Sequence, residues 1–356
     1  MIYLGEILAE RVVKASAPCR LDVGGTCDLK PFALLYAHLS PTTTNLALKM
    51  RTHVQLKPYE FGWVRVADRF KEERFPADEV PFDAHFGLVF AILSHFGVHG
   101  VSVELSYESP PKSGLGGSGT LAVTAIAALD EACALLGKQR MSRERIVELA
   151  HNIEDGLRYS YTGMQDQCAS AYGGVNRWTW TYNSNSERAP FIREEVLGAE
   201  DYPELESRLI IAYLGRSHIS SEVNERQVKS FLDGSSRKIW FRINEIAIEF
   251  AEALKERDWA RAASLISEEN RLRYGMVPER LTPMSIRLME AAQALGAGFA
   301  AAGAGGGGCV WALCPDPSDV DRIKRGWEEV LREEKNAKLL EARIDGEGLR
   351  VKGLED

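Results

Sequence analysis

The sequence predicts an α+β protein of two domains with a binding cleft between them. Three observations lead there. Alternating, β-branched stretches crowd the first hundred residues, long helical patterns follow them, and the same mixture recurs beyond a polar stretch near position 185. At 356 residues, 45% apolar and 26% charged, the chain has ordinary globular composition and enough length for two cores.

The stretches VVKASA, TTTNLALKM, HVQLKP, WVRVAD and VSVELSY suggest a mostly antiparallel sheet. Helices are expected over PFDAHFGLVFAILSHF, LAVTAIAALDEACALL and SRERIVELAHNIEDGL. TYNSNSERAP at 181 to 190 has turn composition, so the domains are expected to span 1–185 and 186–356. The second half begins with a strand, SRLIIAYLG, and continues as a run of helices to about Leu295. It closes with GFAAAGAGGGG, the strand CVWAL, an amphipathic helix from Ser318 to about Glu334, and two short strands, LLEARI and GLRVKG.

A formal net charge of −8 argues against nucleic acid or an anionic membrane as the main partner, while leaving room for a local basic pocket. MIYLGEILAERVVKASAPCR carries Glu6 and Glu10 and lacks the basic start and uninterrupted apolar stretch of a signal peptide. No run of about 20 apolar residues is long enough to span a bilayer. A soluble cytoplasmic protein is expected. The six cysteines form no C-x-x-C pair and read as reduced thiols. His95 and His99 have helical ligand spacing, but Gly97 and Gly100 signal a helix end instead. Oligomeric state is left open.

The most informative segment is PPKSGLGGSGT at 110 to 120, directly before an apolar helix. Ordered glycine loses more conformational entropy than any other residue, so Gly114, Gly116, Gly117 and Gly119 need a cause. Backbone N–H groups converging at the positive end of a helix make a phosphate cradle that glycine can build without steric conflict. The plainer alternative is a connecting loop with Ser118 as N-cap. A Walker-type loop is excluded, because Thr120 stands where its lysine belongs. A dinucleotide fingerprint fits Gly303, Gly305 and Gly308 formally, yet the β-prone run CVWAL follows where a helix is required.

Three further segments complete a constellation: APCRLDVGGTCDL at 17 to 29, IEDGLRYSYTGMQDQCASAYGG at 153 to 174 and GAGGGGC at 303 to 309. Taken singly, Arg20 reads as a salt-bridge partner, Glu154 as an exposed helix residue, Asp166 as an N-terminal helix charge and the late glycines as a tight hairpin. Their order along the chain, with the central loop, resembles the GHMP kinase superfamily from Ala17 to Cys309. Pro110, Gly114, Leu115, Gly116 and Ser118 match the family loop P-x-x-x-G-L-G-S-S-A-A, whereas Gly117, Gly119 and Thr120 depart from it. At Gly117 only the backbone N–H remains available to a phosphate. GGTCDL, GMQDQCASAYGG and YLGRSHISSEV resemble stretches of the D-glycero-D-manno-heptose 7-phosphate kinases and fucokinase-like proteins. Two departures stand out: the spacing from Arg20 to Asp28 is one residue shorter, and Ala300 replaces a lysine frequent in the sugar relatives.

The resemblance implies a two-domain GHMP kinase fold, with the active site in the cleft between an N-terminal α/β domain and a C-terminal ferredoxin-like α/β domain. It implies ATP and Mg2+ as cofactors and a sugar or sugar phosphate as substrate. Lys112 and the loop residues Gly114, Leu115, Gly116, Gly117, Ser118 and Gly119 would hold the nucleotide, Ser118 and Glu154 the magnesium. Gly24, Gly25 and Asp28 would contact the sugar, while Lys112, Arg216 and His218 would read a phosphate already on it. The late glycines would let the second domain approach the phosphate loop, and the adenine is expected near the strands between Asn45 and Val66.

Phosphoryl transfer asks mainly for positioning and charge compensation. Asp166 would face the acceptor hydroxyl; an ordinary Asp, with a pKa of about 3.9, accepts the proton late or orients the hydroxyl. Arg20 would keep Asp166 ionised and offset charge on the moving group. Two alternatives stand beside this reading: a kinase for a non-sugar alcohol such as a mevalonate or amino-acid derivative, and a non-catalytic sensor of nucleotide or sugar.

Overall fold

A computed structural model describes residues 1–157, 161–182, 189–215 and 220–353. The first half runs β1 (Ile2–Tyr3), α1 (Gly5–Glu10), β2 (Val13–Val23), α2 (Lys30–Ala33), β3 (Thr42–Pro58), β4 (Trp63–Ala67) and β5 (Glu72–Pro76). Then come α3 (Gly87–Phe96), β6 (Val98–His99), β7 (Val101–Tyr107), α4 (Gly117–Ala134), α5 (Arg143–Leu157), α6 (Gln165–Tyr172), β8 (Val175–Trp180) and β9 (Phe191–Leu197). The second half holds α7 (Tyr202–Glu206), β10 (Leu209–Leu214), α8 (Ser220–Leu232), α9 (Arg237–Lys255), α10 (Trp259–Met276) and α11 (Pro283–Gln293). It ends with β11 (Gly298–Ala301), β12 (Cys309–Leu313), α12 (Val320–Leu331), β13 (Ala337–Leu340) and β14 (Arg350–Gly353).

Eight strands form the larger sheet, in the order β14-β2-β3-β7-β4-β5 with β8 and β9 branching from β3. It is mostly antiparallel, as the alternating stretches predict; β4 and β7 run parallel. TTTNLALKM and HVQLKP are one strand of 17 residues, β3, which pairs with β2 along its length, with β8 at its start and with β7 at its end. The β2–β3 register shifts between Pro18 and Cys19. Pro18 has no N–H to give the ladder, and a bulge there re-aims the residues that follow, Arg20 and Asp22 among them.

A smaller antiparallel sheet has the order β11-β12-β10-β13. Helix α4 fills the space behind the larger sheet because its buried face is built of small and branched residues, Ala122, Val123, Ala125, Ile126 and Leu129, packed with Val54, Val103, Phe90 and Val147. Helix α9 joins the two halves: Ile246 and Phe250 pack with Leu21 and Leu46 of the larger sheet and with Ile211 and Trp311 of the smaller one. Full burial of side chains of this size contributes roughly 1.5–3 kcal/mol each. Leu288 of α11 and Trp327 of α12 cover the opposite face of the smaller sheet with Phe299 and Val310.

The polar stretch at 181–190 joins neighbours of a single sheet. β8 and β9 are antiparallel partners, and Thr181 N and Tyr182 N both donate to Pro190 O at 2.9 Å. A division between 185 and 186 therefore cuts a strand pair; turn composition marks a reversal of the chain, and a reversal inside a sheet carries the same residues as one between domains. The chain leaves the larger sheet after Leu197, and β14 returns to it beside β2. Helix α3 ends at Phe96, where Gly97 turns left-handed (φ +61°), so His95 and His99 lie on different elements.

Candidate active site

Helix α4 starts inside the glycine loop. Gly116, its N-cap, has φ +79°, and Gly114 has the same φ. Their lack of a side chain is also a matter of space: a Cβ at Gly114 would stand 2.6 Å from Ala302 O, and one at Gly116 would stand 3.0 Å from Asp166 Cγ and 3.3 Å from Arg20 Nε. At Gly119 a Cβ would lie 2.7 Å from Asp166 Cβ. Gly117 is different, since a Cβ there would meet nothing within 4 Å. The first N–H groups of α4 have no carbonyl within the helix to bond, which is the condition for an anion cradle. Ser118 is not the cap: it is the second residue of the helix, and its hydroxyl donates to Glu154 Oε1 of α5.

Strand alternation puts Arg20 and Asp22 on one face of β2. Arg20 Nε and Nη2 each lie 2.7 Å from Asp166 Oδ1, Nη1 lies 2.8 Å from Asp22 Oδ1, and Nη1 also donates to Gly114 O at 2.9 Å. The main chain of β2 bonds the loop as well, Arg20 N to Leu115 O at 3.0 Å. Burial by itself would weaken the hold of Arg20 on its proton; Asp166 and Asp22 outweigh it and raise its pKa.

Glu154 is buried, and burial pushes its pKa up to about 7, assisted by the charge of Asp166 and opposed by the Ser118 hydrogen bond. Gln167, next to Asp166 on α6, donates to Glu154 Oε2 at 2.8 Å. Asp28 is likewise raised to about 7, by burial above all, with Asp166 and Asp22 adding to it and the Gln165 N–H, 3.0 Å from Oδ2, opposing it. Asp28 Oδ1 is buried without a hydrogen-bond partner among the described residues. Gly163 faces this carboxylate so closely that a Cβ would lie 1.9 Å from Oδ2. The glycine pair before it is fastened by α10: Glu269 Oε1 accepts from Gly24 N at 2.9 Å, Arg273 donates to Gly25 O, and the two side chains pair at 2.8 Å.

The late glycines press on the phosphate loop from the second half. A Cβ at Gly303 would stand 2.6 Å from Gly114 O and one at Gly308 2.7 Å from Ser113 O, which accepts from Cys309 N at 2.7 Å. Thus Arg20, Asp28, Asp166, Glu154 and the loop from Gly114 to Gly119 converge with Gly24 and Gly25. Lys112 is exposed at the outer end of the loop. Arg216 and His218 lie outside the described residues. Sequence reasoning missed Asp22, Gln165, Gln167, Glu269 and Arg273. Asp22 and Gln167 were within reach, through strand alternation from Arg20 and adjacency to Asp166; the α10 pair carries no local signal.

Among the described residues no group of three or more His, Cys, Asp or Glu is placed to hold a metal ion. Magnesium asks for less. It takes one or two protein oxygens with water and phosphate, and the touching oxygens of Ser118 and Glu154, one of them on a buried carboxylate with no ion-pair partner among the described residues, fit that need.

Residues 85–174 match the GHMP kinases N terminal domain and residues 250–333 the GHMP kinases C terminal family. The chain is 25% identical to the mevalonate kinase of Thermococcus sibiricus over 76% of its own length and 82% of that protein. It is 23% identical to the L-fucokinase/L-fucose-1-P guanylyltransferase of Bacteroides fragilis, over 97% of this chain and 39% of that longer protein. The solved D-glycero-D-manno-heptose 1-phosphate kinase of Bacteroides thetaiotaomicron superposes with a TM-score of 0.74 at 17% identity, covering 97% of this chain and 100% of that one. With both family domains in order on the matching two-domain fold, the chain belongs to the GHMP kinase superfamily, phosphotransferases that act on alcohol groups.

Proposed function

We propose that the protein transfers the γ-phosphate of ATP to a hydroxyl of a sugar or sugar phosphate, with magnesium at Ser118 and Glu154. The observation that carries this reading is the contact of the Arg20–Asp166 pair with the glycine loop, where Gly116 and Gly119 leave no room for a Cβ between loop and acid. The amides of Gly117 to Gly119 would face the terminal phosphates, aided by the α4 dipole. Bound magnesium would neutralise phosphate charge. Asp166, held through Oδ1, would orient the acceptor hydroxyl with its other oxygen and take the proton as the new oxygen–phosphorus bond forms. Arg20 stays charged throughout and offsets charge on the moving group.

The acceptor side favours a ligand with several hydroxyls. Among the described residues Asp28 Oδ1 and Asn45 Oδ1 are both buried without partners, and such groups reward a ligand that donates to them. A mevalonate-like alcohol is the second reading, supported by the mevalonate kinase relative. A sensor would have no need of the paired acids. No helix among the described residues is long and apolar enough to cross a membrane; a cytoplasmic location is part of the proposal, and the net charge of −8 argues against nucleic acid as the main partner. ATP consumption measured against free sugars, phosphorylated heptoses and hexoses, mevalonate and homoserine tests the proposal. Turnover confined to mevalonate replaces the sugar reading with the second one, and none with any acceptor, despite tight ATP binding, favours the sensor.

A further inference from the structure

Arg280 stands in the short turn Pro278–Arg280 between α10 and α11 and is 4% exposed. Its Nη2 donates to Ala301 O at 2.9 Å, while Nε and Nη1 are buried without any hydrogen-bond partner among the described residues. Other buried arginines have a carboxylate: Arg20 has Asp166 and Asp22, Arg51 has Asp345, and Arg273 has Glu269. An unpaired buried guanidinium is costly, so a protein that keeps one needs an anion from elsewhere.

Its surroundings say where that anion would lie. Gly306 N donates to Arg280 O at 2.6 Å, and a Cβ at Gly305 would stand 2.3 Å from Arg280 Cγ, so the residue is seated against the late glycine loop. The carbonyl it bonds, Ala301 O, precedes Ala302, whose own carbonyl abuts Gly114 of the phosphate loop. Arg273 and Glu269, whose charges reach Arg280, fasten Gly25 and Gly24. Arg280 is therefore linked through the late glycine loop to the nucleotide loop, and its charged neighbours Arg273 and Glu269 hold the glycine pair that precedes Asp28. Burial lowers its pKa to about 9, with Arg273 acting in the same direction; Glu269 and Asp22 act against this without bonding it. Its enclosure does not set it apart, because Arg20 and Asp28 are 4% and 2% exposed.

We propose that Arg280 pairs with an anionic group, a phosphate or a carboxylate, borne by the hydroxylated acceptor. The inference rests on the kinase reading above and narrows its substrate class to an anionic polyol.

The test compares wild type with Arg280→Met on sugar phosphates, sugar acids, mevalonate and neutral sugars. The ratio of kcat/KM for the best anionic acceptor to that for its neutral counterpart should fall roughly 10- to 100-fold in the variant, the worth of a charged hydrogen bond. Whether phosphates or acids head the wild-type ranking identifies the anion. The unliganded variant should also melt at a higher temperature, since it no longer buries an unpaired charge. With a non-hydrolysable ATP analogue saturating the phosphate loop, inorganic phosphate should raise the melting temperature of wild type more than that of Arg280→Met. A lowered melting temperature with an unchanged ratio, or a wild type that prefers neutral sugars, overturns the proposal. Should Arg280→Met not fold, the neutral polar variant Arg280→Gln must show the same loss of ratio, and an unchanged ratio there overturns it equally. If wild type phosphorylates nothing, the kinase reading fails, while the phosphate measurement still decides whether Arg280 holds an anion.

Discussion

Arg20 and Asp166 stand 146 residues apart in the chain and meet at one carboxylate oxygen, with Nε and Nη2 of the arginine each 2.7 Å from Oδ1. One acid oxygen is thus committed to orientation. Asp166→Asn should lower turnover by ~10²- to 10⁴-fold, the usual worth of a positioned acid or base, while nucleotide affinity and the melting curve stay close to wild type. Arg20→Lys keeps the charge and loses the fork, so its turnover should fall as well. Steady-state kinetics beside nucleotide titration check both; a fully active Asp166→Asn protein removes this residue from the chemistry.

Ser118→Ala and Glu154→Gln should raise the magnesium concentration needed for half-maximal turnover by about tenfold or more, the loss expected of a charged contact. Gln167→Leu, which withdraws the amide that steadies Glu154, should produce a smaller rise in the same direction. Binding of a nucleotide analogue with and without Mg2+ gives a readout independent of turnover. Equal affinities in its presence and absence, in wild type as in the variants, would exclude the ion from this position.

Gly114 and Gly117 should respond oppositely to substitution. Gly114→Ala imposes a side chain at φ +79° against the Ala302 carbonyl and should destabilise the fold by roughly 1–3 kcal/mol. Gly117→Ser meets open space in the first turn of a helix, so stability should hold or rise by up to about 1 kcal/mol. Chemical denaturation distinguishes these outcomes, and a destabilised Gly117→Ser protein would show that the loop is arranged otherwise.

Asp28 ties stability to pH. Its pKa is raised from the model-peptide value of 3.8 to about 7 in the fold, so the folded state binds the proton more tightly than the unfolded chain does. Its contribution is therefore most favourable below about pH 4, declines as pH rises from there to about 7, and is level above that. Asp28→Asn should remove this decline, making the variant relatively more stable at pH 8 than at pH 5 while weakening sugar binding. Denaturation midpoints at the two pH values check it; identical differences from wild type at both would contradict a buried, proton-hungry Asp28.

Much of this arrangement was legible in the chain. Glycines crowded before an apolar helix announce a backbone that must come close to something, and Gly114, Gly116 and Gly119 do so, two of them against Asp166. Alternation gave the sheet, including the strands that carry Arg20 and Asn45. What stayed hidden depends on pairings that no local pattern encodes. The strands that flank the polar stretch at 181–190 belong to one sheet because β9 pairs with β8, a choice made by tertiary packing. Ser118 has the composition of a cap, yet Gly116 takes that place by adopting a left-handed conformation. Glu269 and Arg273 read as an ordinary i,i+4 pair on a helix until α10 is set against Gly24 and Gly25.

Strand β2 has β3 on one flank, and on the other β14 covers only Val13 to Ser16. The phosphate loop takes over farther along through Arg20 N and Leu115 O. Trimming the tail back past Arg350 would bare the start of β2 to solvent, creating a sticky border of unpaired amides and carbonyls in line with the reactive centre. Clipped preparations should consequently self-associate as well as lose activity.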